Sequence, residues 1–87
     1  MKREIDIIKD SRFSDNPMAD VVKMSTEIEK NISDMAILTV YPIRQVNFDD
    51  CVSYRRTMII EKRKGYKWDF IYGAINKTYA PYYKNVA

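Results

Sequence analysis

Eighty-seven residues suit one domain, and a content of 46% hydrophobic and 13% aromatic residues is too apolar for a disordered chain. There is no histidine and one cysteine, Cys51, which excludes an intramolecular disulfide, Cys₂His₂ or Cys₄ zinc sites within one chain, and every Ser–His or Cys–His catalytic arrangement. Two glycines, Gly65 and Gly73, are too few for a glycine-rich phosphate loop, and the net charge of +3 is unevenly spread. Residues 1–34 carry eight acids against six cations, whereas residues 35–87 carry nine cations against four acids. The second part therefore calls for a partner of opposite charge. No apolar run approaches the ~20 residues of a membrane span, and MKREIDIIKD lacks the apolar stretch of a secretory signal. The expectation is a soluble, cytoplasmic protein, in a cell or an infected host, with no membrane partner.

In chain order, Glu4 to Lys9 alternates polar and apolar residues, as a short edge strand does. Asn16-Pro17 opens a helix: Asn16 accepts from the first free amides, and Pro17 at the first helical position loses nothing by lacking one. Met18, Val21, Val22, Ser25, Ile28 and Ile32 then recur at helical spacing, which predicts a helix over about 17–33 with one apolar stripe. The run from Met35 to Tyr41 is short, apolar and β-branched, ends at Pro42, and reads as a central strand. Residues 43–51 read as a connection.

The stretch MIIEKRKGYKWDFIY, residues 58–72, places a cationic cluster between two apolar or aromatic runs. Arg63-Lys64-Gly65 meets the needs of a three-residue hairpin loop, with glycine at the position of positive φ. That register pairs Ile60 with Trp68, Met58 with Phe70 and Glu61 with Lys67. Trp68, Ile71, Tyr72, Ile75 and Tyr79 also fall at helical spacing, so a helix competes over this segment. The glycine and the aromatic alternation favour the hairpin. The expected fold is α+β, one domain over 1–87: a main helix packed on a small antiparallel sheet with a C-terminal hairpin at about 54–73, arms 54–62 and 66–73. The tail INKTYAPYYKNVA reads as a short helix running into a polar, aromatic end.

Function rests on the cations Arg55, Arg56, Lys62, Arg63, Lys64 and Lys67, which on a stiff hairpin are placed to hold phosphates. Tyr54, Tyr66 and Tyr72 lie beside them and are placed to stack on unpaired bases. The chain is expected to be a non-catalytic binder of nucleic acid, RNA or DNA. The alternative partner is an acidic protein surface: in size and composition the chain is comparable to small inhibitors that viruses and mobile elements direct at host proteins, with no shared motif. Asp49, Asp50, Glu61 and Asp69 match no metal-ligand spacing, so neither metal nor cofactor is called for. A metal-independent ribonuclease working through Arg, Lys and Tyr is the enzymatic alternative. The helical stripe has heptad-like spacing that a homodimer seam shares, but it is too short to outweigh packing on the sheet.

Overall fold

A computed structural model describes residues 1–83; the last four residues of the tail lie outside it. Its elements are β1 (Lys2–Asp10), α1 (Pro17–Ile32), β2 (Ala36–Val40), β3 (Arg44–Phe48), β4 (Cys51–Lys62) and α2 (Trp68–Tyr83). The fold is α+β, with two helices on one face of an antiparallel sheet. β4 is the axis of that sheet. β1 pairs along one side of it over nine residues, from Lys2 opposite Glu61 to Asp10 opposite Ser53. β2 and β3 share the other side.

β2 and β3 amount to one edge strand with a fault in it. Val40 stands opposite Met58 and Arg44 opposite Arg55, so the edge spends one residue more than β4 between these pairs. The Tyr41 amide still reaches the Thr57 carbonyl at 3.0 Å. Pro42 follows with no amide to offer, and a bulge on an edge strand is where a sheet tolerates proline. The strand expected at 35–41 does stop at Pro42, but pairing resumes two residues later as β3, in a segment that reads as a connection. Asp49-Asp50 then closes a two-residue turn into β4, with Asp49 at φ 53. Aspartate tolerates that region because its short polar side chain can bond locally.

The C-terminal hairpin is corrected in its second arm. The first arm, 54–62, lies within β4, and the chain does reverse after it. The Tyr66 amide bonds the Arg63 carbonyl at 3.4 Å, with Gly65 at φ +94, the third position of a four-residue turn where positive φ selects glycine. Residues 66–73, however, form a short lead and then α2. The reason is non-local: both sides of β4 are taken. Met58–Glu61 pair with β1 on one side and with β2 on the other. The Lys62 amide also reaches Met1 and the Arg63 amide reaches Met35. β4 has no edge left for a second hairpin arm, and the helical spacing of Trp68, Ile71, Tyr72, Ile75 and Tyr79 prevails with their stripe facing the sheet.

The core lies between the layers. Ile7, Met58 and Ile60 from the sheet meet Val21, Met24, Ile28 and Ile32 of α1 and Ile71 and Ile75 of α2, all fully or almost fully buried. Each such side chain contributes about 1.5–3 kcal/mol. Asn16 caps α1, its side chain accepting from the Ala19 amide at 3.2 Å. The predicted stripe shifts slightly: Met18 and Val22 are exposed, and Met24 takes a core position. Asn31 of α1 donates to Thr78 of α2 at 2.9 Å, and the buried Lys9 ammonium of β1 donates to the Tyr82 carbonyl in the last turn of α2. A cation suits the negative end of a helix dipole.

The two glycines have opposite roles. Gly65→Ala forces a side chain into positive φ and is expected to cost about 1–2 kcal/mol. Gly73 sits exposed within α2 with open space where a Cβ would go. Gly73→Ala is expected to raise stability by about 1 kcal/mol, and the two urea-unfolding curves should move in opposite directions.

Candidate nucleic-acid interface

Side chains alternate along β4, and this divides the expected cation cluster. Even-numbered positions face the helices, as the burial of Met58 and Ile60 shows. Arg56 belongs to that set, its Nη1 donating to Ser25 Oγ of α1 at 2.9 Å. Tyr54 lies on the same side, packed against the core, and its hydroxyl stands 3.5 Å from Gln45 Oε1 on β3. Arg55 points to the other, helix-free face, directly opposite Ile8 on β1 and Arg44 on β3. Lys62, Arg63, Lys64 and Lys67 stay together at the end of the sheet, where β4 leads through the turn into α2. Six expected phosphate-binding residues therefore resolve into a group of four and two separate arginines.

The aromatic residues divide in the same way. Tyr72, on the first turns of α2, lies beneath the Arg3 guanidinium, 5.6 Å from the ring centre, and its hydroxyl accepts from Arg3 Nη1 at 3.4 Å. Trp68 holds the same guanidinium at 4.6 Å, and the two rings are 5.8 Å apart. Tyr72 thus already carries a cation from its own chain. Tyr66 remains at the tip and 41% exposed. Beside it is Phe70, 68% exposed, which the hairpin register assigns to the apolar face with Met58. Tyr66, Lys67 and Phe70 line a shallow hollow with Met35 and Gly65. A helix starting at Trp68 turns Phe70 away from the core that Ile71 enters, and only a helical reading of the segment places it there.

The free tip is compact and basic. Arg63, Lys64 and Lys67 are exposed and, among the described residues, hold no ion pair within 4 Å. Lys2 joins them from the start of β1, opposite Glu61. The alternation of residues 4–9 signals β1, but its register against β4 is needed to bring Lys2 to this end. Exposed cations around two exposed rings can neutralise phosphates while offering flat faces to bases. Among the described residues no group of three or more Cys, Asp or Glu could hold a metal ion, and no helix is long and apolar enough to cross a membrane. No family model, curated protein or solved structure matches the chain.

The division of the arginines has a measurable consequence. Arg56→Ala and Ser25→Ala each break a partly buried hydrogen bond to a charged group and are expected to cost about 1–3 kcal/mol. Arg63→Ala and Lys64→Ala should stay within about 0.5 kcal/mol of the parent. Thermal or urea unfolding of the four variants checks this.

Proposed function

We propose that this protein is a non-catalytic nucleic-acid-binding protein of the cytoplasm, of a cell or an infected host, which grips single strands at the tip formed by residues 62–70. What supports the reading is the exposure of Tyr66 and Phe70 among Lys62, Arg63, Lys64 and Lys67. The cations hold the phosphate backbone, and their attraction weakens with salt as counterions are recovered. The rings stack on bases that a duplex keeps paired, which favours single strands. Arg55, Arg56, Tyr54 and Tyr72 take no part in this grip, because β4 and α2 point them elsewhere. No proton transfer or bond cleavage is assigned to the site.

A second reading draws on the same hollow. Met35 and Phe70 make an apolar centre with a cationic rim, which is also the anatomy of a protein interface. The partner is then an acidic protein surface and the chain a small inhibitor of virus or mobile-element type.

Titration of labelled single-stranded and duplex RNA and DNA at two salt concentrations separates the two. Single strands should bind more tightly than duplex. Arg63→Glu/Lys64→Glu should weaken binding and flatten the log–log salt slope by ~1.4 if two phosphate contacts are lost. Tyr66→Ala and Phe70→Ala should each weaken single-strand binding by about 1–3 kcal/mol. The RNA should be recovered intact. Absence of binding at low salt overturns the nucleic-acid reading, and cleaved RNA overturns the non-catalytic one.

A further inference from the structure

We infer that β2 pairs along its outer edge with β2 of a second copy, antiparallel about Leu38, so that two sheets join into one. β1 and β2 stand at opposite ends of the strand order, and a further strand has to add beside one of them. In an antiparallel ladder the bonding alternates, so each residue directs its amide and carbonyl either to the neighbour on one side or to the other. The odd positions of this edge turn inward: the Tyr41 amide bonds the Thr57 carbonyl, and the Met35 carbonyl accepts from the Arg63 amide. Ala36, Leu38 and Val40 therefore direct theirs away from β4, where no strand of the described residues pairs with them.

The two edges differ in how they are guarded. β1 carries Lys2, Arg3, Glu4, Asp6, Lys9 and Asp10, and charge along an edge deters another strand. α2 also lies beside it: the Tyr79 hydroxyl donates to the Asp6 carbonyl at 3.3 Å, and Lys9 holds the Tyr82 carbonyl. β2 has no such guard. Its sequence AILTV is uncharged, and neither Met35 before it nor Tyr41 after it adds a charge. Ile37 and Tyr41 are 50% and 49% exposed, and α1 packs chiefly over β1 and β4. An apolar edge with free amides and carbonyls is a template for pairing.

The strand fits its own image. A two-fold axis normal to the sheet at Leu38 sets Leu38 against the partner's Leu38, Ala36 against the partner's Val40, and Ile37 against the partner's Thr39. No like charges meet, and all three outward-directed residues fall in hydrogen-bonded pairs, giving about six main-chain bonds. Neighbouring registers do worse. An axis at Thr39 brings Ala36 opposite Pro42, which has no amide, and an axis at Ile37 brings Val40 opposite Asp34, outside the strand. On the core side the half-buried Leu38 and Val40 gain cover from the partner, and on the other side Ile37 does. The guarded β1 strands become the outer edges of the joined sheet, so assembly closes at two copies. Strands of five residues cover less than the ~800 Å² per partner of a standard interface, which places the dissociation constant on the order of 10–100 µM.

Sedimentation equilibrium of the full chain from about 5 to 500 µM should show the 10.3 kDa mass rising toward twice that value. Amide exchange followed by NMR should find Ala36, Leu38 and Val40 protected only at the high end of that range, with Ile37 and Thr39 protected throughout. Ile37→Lys/Thr39→Lys sets lysines directly opposite lysines on the water-facing side and should weaken association at least tenfold, as should Ile37→Glu/Thr39→Glu. Their equimolar mixture should restore a dimer containing one copy of each, with far-UV circular dichroism verifying that both variants fold. A wild type that stays monomeric throughout overturns the proposal. So does a dimer whose Ala36, Leu38 and Val40 amides exchange freely, or a mixture of folded variants that stays monomeric.

Discussion

β4 is flanked by β1 on one side and by β2 on the other from Met58 to Glu61, and this saturation governs the rest of the molecule. A doubly flanked strand offers no edge, so the segment after Gly65 cannot fold back as a hairpin arm beside β4. The following segment carries apolar side chains at helical spacing, and the free face above Met58 and Ile60 needs a cover that α1 alone does not complete. α2 supplies it. A buried backbone group left unpaired costs as much as a lost hydrogen bond, so the helix, which satisfies its own amides, is the economical continuation of the chain.

From that arrangement the chemistry of the surface follows. Strand alternation sends Arg55 and Arg56 to opposite faces although they are adjacent in sequence. Arg56 reaches across to Ser25 and belongs to the sandwich of helix and sheet. Arg55 meets Arg44 on the bare face. The cations from the last residue of β4 through the turn to the head of α2, Lys62, Arg63, Lys64 and Lys67, escape this sorting and remain together. The rings obey the same logic, since Trp68 and Tyr72 close over Arg3 while Tyr66 and Phe70 stay clear of it.

Elements with local signals were legible in the sequence. The Asn16-Pro17 cap and the stripe after it place α1, the alternation of residues 4–9 places most of β1, and the β-branched run before Pro42 places β2. β3 carries no such signal, because RQVNF becomes a strand only by pairing with β4 behind a bulge. The segment after Gly65 holds both periods at once, alternating aromatics from Tyr66 to Tyr72 and a helical stripe from Trp68 to Tyr79. The choice between them depends on whether β4 has a free edge, which residues more than twenty positions away decide. The site divides likewise. Lys62, Arg63, Lys64, Tyr66 and Lys67 are neighbours in sequence, so any chain reversal at Gly65 keeps them together. Phe70 and Lys2 reach the tip only through the helix and through the register of β1.

The account turns on sequence-adjacent cations being separated into a free tip and two fixed arginines. Titration of ¹⁵N-labelled protein with a single-stranded homopolymeric oligonucleotide, followed by two-dimensional NMR, examines this residue by residue. The account predicts shift changes concentrated in residues 62–70 and at Lys2, with the Arg56 Nε–H and the Ser25 amide unmoved. Largest changes at Tyr54, Arg55 and Arg56, with the tip silent, would contradict it.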